Sequence, residues 1–216
     1  MKKITLSITM LLCTIGGSLI AQNGVIFEYK VSSSQGNSGT IKTYYSNSGS
    51  RVEIQTNNSN TTGIVKNSSP TMINLLDDKN KTYISTELQQ TADISNNSTS
   101  NVSVAVNKEK FGNYNCSHAI ISKNGESRVY WTTTEIQDYE QYSKPNGINK
   151  TIGISTDYEL LKANGAAGFI VKMLSTDAKG VPQTMELVKT EKKELNANLF
   201  AIPSDYKATA ITSPTK

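Results

Sequence analysis

Residues 111–134 (FGNYNCSHAIISKNGESRVYWTTT) constrain the fold more than any other stretch of the chain. They contain two runs in which apolar and polar residues alternate, separated by Asn124-Gly125, the dipeptide most typical of a tight hairpin turn. Successive residues of a strand point to opposite faces of a sheet, so such runs can bury one face and solvate the other. The stretch therefore predicts a β-hairpin within a larger sheet.

The same period-two alternation recurs along most of the chain. In the first run one face carries Val25, Phe27, Tyr29 and Val31. Turns rich in Ser, Gly, Asn or Asp separate the runs that follow, which is typical of strands joined by hairpins. Near the end of the chain, residues 199–203 form a short apolar segment that we expect to cover an edge or an end of the sheet.

Two late segments lack the alternation and favour short helices. Residues 135–142 form the first, and residues 158–163 form the second, with Thr156-Asp157 as its N-terminal cap. We therefore predict a mainly β protein with about nine or ten strands in a single curved antiparallel sheet. In this half-barrel, the two helices lie near the open mouth.

The start of the chain has the features of an export signal. A basic start precedes a short apolar run that ends in small residues and Ala21, as in a cleavable signal peptide. Polar residues interrupt the run, whereas a membrane-spanning helix needs about 20 mainly apolar residues. We expect a signal peptide at 1–21, one domain at 22–207 and a disordered tail at 208–216. The protein would then be periplasmic or secreted, without a transmembrane anchor.

Charge and cysteine content narrow the classes of partner. The formal net charge is +4 and the basic residues form no cluster, so we do not expect nucleic-acid binding. Outside the expected signal peptide the sequence has one cysteine, Cys116, so no internal disulfide can form. Stability must therefore come from packing, and Cys116 is either buried or available to a second chain.

Cys116 and His118 are the natural place to look for chemistry, because residues two apart on a strand share a face. A metal site needs three or four ligands, and no further Cys or His is available outside the signal peptide. A nucleophile and its base would need a third group, and no such motif accompanies the pair. We therefore predict that the pair packs in the core, and we expect no catalytic residue, no cofactor and no metal site.

Six aromatic and apolar residues lie at strand positions suited to the concave face of the sheet. They are Phe27, Tyr29, Tyr83, Trp131, Phe169 and Met173. They can line a cavity for an apolar ligand, or they can fill a solid core. Period two shows which residues share a face and leaves both interpretations open.

Four blocks, in order, carry a resemblance to a known family: residues 24–29 (GVIFEY), 111–116 (FGNYNC), 129–133 (VYWTT) and 199–206 (LFAIPSDY). Together they resemble the exported bacterial family called domain of unknown function 4412. That family is similar in fold to the periplasmic lipoprotein carriers and receptors of the Lol system, which shelter acyl chains against a curved sheet. The resemblance implies this shape and this class of ligand, and it supplies no catalytic residues. The chain departs from the carriers by placing Thr or Ser at several alternate strand positions.

These observations lead to two hypotheses of different classes. In the first, the chain is an exported, non-enzymatic binding protein that holds an acyl chain, a lipid or a lipoprotein anchor on the concave face. In the second, it is an envelope interaction module that binds a protein partner and has a solid core without a ligand.

Overall fold

A computed structural model describes residues 21–57, 59–88, 103–123, 126–143, 157–176 and 180–209. Twelve strands in this part of the chain form one sheet. They are β1 (Ala21–Ser33), β2 (Ser38–Ser46), β3 (Gly49–Thr56), β4 (Asn60–Lys66), β5 (Met72–Asp77), β6 (Thr82–Glu87), β7 (Ser103–Phe111), β8 (Tyr114–Lys123), β9 (Glu126–Thr133), β10 (Phe169–Thr176), β11 (Pro182–Asn196) and β12 (Lys207–Ala208). The expected signal peptide, apart from Ala21, and the predicted Asn124-Gly125 turn lie outside the described residues.

The strand order places the first strand, β1, beside the eleventh, β11, at the centre of the sheet. From β1 the chain runs outward strand by strand to β6, resumes with β7 at the opposite side, and returns inward to β11. β11 pairs antiparallel with β1 from Ala21–Asn196 to Ser33–Gln183, with one irregularity after Glu28. Long-range pairing of β1 with β11 therefore joins the two halves of the sheet.

The predicted fold class is confirmed, whereas the strand count of nine or ten was too low. The twelfth strand, β12, is two residues long and pairs parallel with Thr82 and Tyr83 of β6, while the other pairs are antiparallel. Nothing in the local sequence marks so short a strand, because it exists only through its partner. Thr209 also donates its backbone N–H to Tyr83, so ordered structure extends past the expected start of the tail at residue 208.

Two short α-helices lie in the described part of the chain, α1 (Tyr139–Ser143) and α2 (Tyr158–Ala163). α2 has the predicted bounds. α1 begins later than the predicted residue 135. A turn precedes it, in which Ile136 is buried and Asp138 has a positive φ of 61°. That turn delays the first helical residue to Tyr139.

The sheet buries side chains on both faces. The inner face carries Val25, Phe27 and Tyr29. α2 packs on it through Leu161, and α1 packs on it through Tyr142, next to the buried Ile136 of the preceding turn. The opposite, outer face carries Ile26 and Tyr44.

A third cluster, of Val52, Val65 and Ile73, lies toward the β6 side of the sheet. Residues 199–203 were expected to cover an edge or an end of the sheet, and they lie against one of its faces. A 3₁₀ helix (Ala197–Phe200) instead places Phe200 against Ile26 and Tyr44 on the outer face.

Candidate binding cleft

Three of the six predicted ligand-lining residues pack against one another on the inner face. The ring centres of Phe27 and Phe169 are 4.3 Å apart, and those of Tyr29 and Phe169 are 6.3 Å apart. Phe27 is 0% exposed, Tyr29 1% and Phe169 4%. The Tyr29 hydroxyl donates to the Ile170 carbonyl at 3.1 Å, which satisfies the polar atom of a fully buried ring. At the centre of the sheet these rings therefore form a solid aromatic layer.

The other three predicted residues take no part in these ring contacts. Met173 is partly buried and lies opposite Tyr130 in the β9–β10 pairing. Trp131 belongs to the same buried cluster, and its ring stacks on His118 with ring centres 4.6 Å apart. Tyr83 lies on β6, next to the end of the sheet. A role for the six residues in ligand contact remains a prediction.

A hydrogen-bonded group fixes α2 on the inner face. Asp157 occupies the N-cap position of α2, as predicted, but its side chain makes no capping bond. It accepts a hydrogen bond from the Tyr130 hydroxyl at 2.5 Å and one from Arg128 at 3.4 Å. Burial, together with the neighbouring Asp157 carboxylate, raises the pKa of the Tyr130 phenol well above its usual range. Tyr130 therefore remains a neutral donor that anchors the start of α2.

Cys116 and His118 occupy separate environments. Cys116 is buried, and its thiol lies 3.7 Å from the Tyr114 carbonyl oxygen. His118 stacks on Trp131, and its Nδ1 lies 3.5 Å from a Glu109 carboxylate oxygen. Burial raises the pKa of the Cys116 thiol, so the reactive thiolate is disfavoured. Among the described residues, no three His, Cys, Asp or Glu side chains are grouped closely enough to hold a metal ion.

A cleft of about 340 Å³ opens where residues 34–37 connect β1 to β2. Four apolar side chains contribute to its lining, from Val31, Ile41, Ile54 and Val181. The remaining lining residues are Ser32, Ser33, Gln35, Asn37, Ser38, Gly39, Thr40, Gln55, Thr56, Asn57 and Gln183. We call this the end cleft.

The apolar part of the end cleft joins two of the buried clusters. Ile41 pairs across the strands with Tyr29 on one side and with Ile54 on the other. Val31 and Ile41 pack against the inner-face cluster, while Ile41 and Ile54 pack against the cluster near β6. The end cleft is therefore a gap at the junction of two cores, with an apolar surface continuous with both.

The walls of the end cleft are held by main-chain hydrogen bonds. Ser33 donates its N–H to Asn37 at 2.8 Å, and Ser34 donates to Pro182 at 3.1 Å, which ties the connection to β11. A Cβ atom on Gly39 would lie 2.4 Å from the Gln55 carbonyl oxygen, so only glycine allows β2 and β3 to approach this closely. The cleft is therefore largely preformed.

A second cleft, of about 620 Å³, lies beside α1 and is polar. Its lining includes Asp138, Lys192, Lys193 and Glu194, and Lys192 Nζ contacts Gln137 Oε1 at 2.5 Å. None of the six predicted residues lines either cleft. The sequence offered one weak signal for the end cleft, the apolar Ile41 and Ile54 in neighbouring predicted strands, but their position at an opening depends on the turn geometry.

The fold and the cleft define a class of protein, a β half-barrel with short helices on its inner face. The family model described as "Domain of unknown function (DUF4412)" matches residues 24–206, so the chain belongs to that family, and the predicted resemblance is confirmed. No curated protein matches the sequence.

Solved structures extend the comparison of folds. An uncharacterized conserved protein from Thermus thermophilus is similar with a TM-score of 0.51 and 10% identity, over 85% of this chain and 89% of that one. PNGF-II gives a TM-score of 0.42 and 16% identity, over 88% of this chain and 31% of that one. A LolA superfamily protein from Nitrosomonas europaea gives a TM-score of 0.32 and 9% identity, over 85% of this chain and 91% of that one. No helix in the described part of the chain is long and apolar enough to cross a membrane.

Proposed function

We propose that the protein is an exported, non-enzymatic binding protein that holds the apolar part of a ligand on the concave face of its sheet. The ligand is an acyl chain, a lipid or a lipoprotein anchor, and it enters at the end cleft. The observation that carries the proposal is the end cleft itself, about 340 Å³ in volume with apolar side chains continuous with two cores. Ligand pockets in proteins typically measure roughly 300–1,000 Å³.

The packing around the end cleft supports an apolar occupant. Filling the cleft would remove the partly buried faces of Ile41 and Ile54 from water, and the gain scales with the apolar area removed. The solid layer of Phe27, Tyr29 and Phe169 blocks the centre of the sheet. This layer would therefore stop an acyl chain that extends from the cleft toward the centre of the sheet.

The expected export signal supports a location in the periplasm or outside the cell. In either place, an acyl chain needs a protein surface to shield it from water. The family assignment is compatible with this role and assigns no reaction.

A filling substitution tests the role of the cleft. Ile54→Trp adds a large ring inside the cleft and keeps the residue apolar, so we expect binding of a fluorescent acyl-chain probe to fall at least about tenfold as the free volume disappears. Val188→Trp is the matched control, because Val188 is 56% exposed and does not line the cleft. If both variants bind the probe as tightly as the unaltered protein does, the end cleft is not the binding site.

Native mass spectrometry of the protein purified from its own host identifies the natural ligand. We expect a co-purifying acyl lipid that organic extraction releases. A protein that is consistently empty and binds no acyl probe would contradict the proposed function.

A second candidate function, an envelope protein–protein interaction module, is favoured by one observation. The aromatic layer of the inner face is packed solid, with Phe27 and Tyr29 essentially inaccessible. Crosslinking in intact cells that yields one protein adduct and no lipid would support this alternative.

A further inference from the structure

The described residues that line the end cleft include no charged side chain. Charged residues make up 19% of the sequence, and the second cleft has four of them. The polar groups of the end cleft are instead amides and hydroxyls, from residues such as Ser33, Gln35, Asn37 and Gln183. These groups donate and accept hydrogen bonds without carrying charge.

The charges of the surrounding strands are directed to the other face. Lys30 lies between Tyr29 and Val31, and it pairs across the strands with Glu186. Lys42 follows Ile41 and pairs in the same way with Glu53. Because side chains alternate along a strand, both Lys–Glu pairs lie opposite the face that carries Val31 and Ile41.

One hydroxyl in the cleft lacks a partner. Ser33 Oγ is shielded from solvent and makes no hydrogen bond to any other residue in the part of the chain that the structure describes. Rotation about its Cα–Cβ bond would turn this hydroxyl toward the cleft that Ser33 lines. A ligand oxygen there would satisfy a polar atom that is otherwise unpaired.

We infer that the end cleft selects an amphiphile with an uncharged polar head, such as an acylglycerol, over an anionic lipid of the same chain length. This inference rests on the proposed function, since it names the class of ligand for the same site. An ester or a hydroxyl head can exchange its water for the amides and hydroxyls of the cleft. A carboxylate or phosphate would lose its hydration without gaining a cation, which is costly.

The test compares two ligands that differ in the charge of the head group. Displacement of a fluorescent acyl-chain probe is measured with monooleoylglycerol and with oleate, below their aggregation concentrations and at a pH at which oleate is ionised. We expect monooleoylglycerol to bind about tenfold more tightly or better. Equal affinities would overturn the inference and leave the proposed function intact, whereas failure of both ligands and of the probe would overturn both.

A charge introduced into the cleft provides a second readout. Gln183 pairs with Ser33, so Gln183→Lys would place an ammonium beside the unpaired hydroxyl and shift the preference toward oleate. Asn37→Lys adds the charge from the β1–β2 connection, where the Asn37 carbonyl already accepts from the Ser33 N–H, and replaces the first variant if that one does not fold. Val188→Lys adds the same charge outside the cleft and keeps the preference of the unaltered protein. A preference that both cleft variants leave unchanged, or that Val188→Lys shifts equally, would contradict the inference.

Discussion

Tyr130 and Asp157 show how a single polar contact positions a helix on the sheet. Tyr130 is fully buried, and its hydroxyl donates to a carboxylate that stands at the start of α2. A hydrogen bond to a charged acceptor is stronger than one between neutral groups, and its loss leaves a partly buried charge with fewer donors. The position of α2 over the inner face therefore depends on this pair.

Tyr130→Phe should destabilise the protein by about 1–3 kcal/mol, because Asp157 loses its shortest hydrogen bond while remaining largely shielded from water. The free energy of unfolding in urea measures the effect. Tyr83→Phe is the matched control, since the structure gives its hydroxyl no partner among the described residues, and it should change stability by less than about 0.5 kcal/mol. Equal effects of the two substitutions would show that the bond to Asp157 does not stabilise the fold.

The buried tyrosines predict a loss of stability at alkaline pH. Burial raises the pKa of Tyr29, and burial with Asp157 raises that of Tyr130, above the value of about 10 in an unfolded chain. The folded state therefore holds these protons more tightly, and their contribution is complete below about pH 10 and lost as the pH rises toward the folded pKa values. We expect the free energy of unfolding to fall above about pH 10.

Comparison with Tyr130→Phe isolates the contribution of this tyrosine, because the two proteins share every other titratable group. The variant should show a shallower decline above about pH 10. Parallel pH profiles for the two proteins would exclude a contribution from Tyr130.

The two edges of the sheet are protected by different means. β7 exposes Asn107, Lys108, Glu109 and Lys110, and charged side chains discourage pairing with another chain. β6 (TYISTE) has a single charge, and the segment that follows the 3₁₀ helix pairs with its first two residues, Thr82 and Tyr83. The uncharged start of β6 therefore has a partner strand, whereas β7 is protected by its charges.

Side chains reinforce the cover of β6. The Tyr206 hydroxyl donates to Asp78, and Lys81 Nζ lies 4.9 Å from the centre of the Tyr206 ring. Lys81 also lies 3.9 Å from a carboxylate oxygen of Asp205. The backbone of Lys207 donates to Lys81 at 2.9 Å, which aligns β12 with the edge.

Removing residues 204–216 should therefore expose the edge of β6 and raise the association state above that of the full chain, since open edges pair with one another. Light scattering after size-exclusion chromatography, over a range of concentrations, measures this change. Removing residues 210–216 alone keeps β12 and should leave the association state of the full chain unchanged. A shorter chain with an unaltered association state would show that β12 is not needed to protect the edge.

The whole molecule depends on the β1–β11 pairing, which joins the two series of hairpins. Leu195 is buried in this pairing, and a Cβ atom on Gly24 would lie 2.3 Å from its side chain. Leu195 thus fills the space that the glycine leaves. Because one sheet spans both series, the domain should unfold as a single cooperative unit.

Leu195→Ala should lower the free energy of unfolding by about 2–5 kcal/mol, through lost burial and the resulting cavity. Trp131 is the only tryptophan and reports on β9, away from the substitution, so its fluorescence and far-UV circular dichroism should shift together. Val188→Ala, at an exposed position of the same strand, should change stability by less than about 0.5 kcal/mol. Separate transitions for the two signals would show that the halves unfold independently.

Prediction from sequence succeeded where the information is local. Alternation identified the faces of β1, and the non-alternating residues 158–163 became α2 with the same bounds. It was less successful where the partner is distant in the chain. The Asp157 side chain bonds to Tyr130 rather than to its own helix, and β12 forms only because β6 offers an unpaired edge.

The same holds for the candidate site: its local features could be predicted from the sequence, and the contacts between distant segments could not. The sequence identified Phe27, Tyr29 and Phe169 as inner-face residues, and the structure packs their rings together. It did not identify the end cleft, whose walls come from segments as distant as Ser33 and Gln183.

The sequence by itself determined where the long strands lie, which side chains share a face, and that the fold is a single mainly β sheet. These properties follow from the two-residue repeat of an extended backbone, which each short segment carries alone. Only the tertiary structure decided that β1 pairs with β11, that the centre of the inner face is solid, and that an opening remains beside the β1–β2 turn. Those outcomes depend on how side chains more than a hundred residues apart fill a shared space, and no local pattern records that volume.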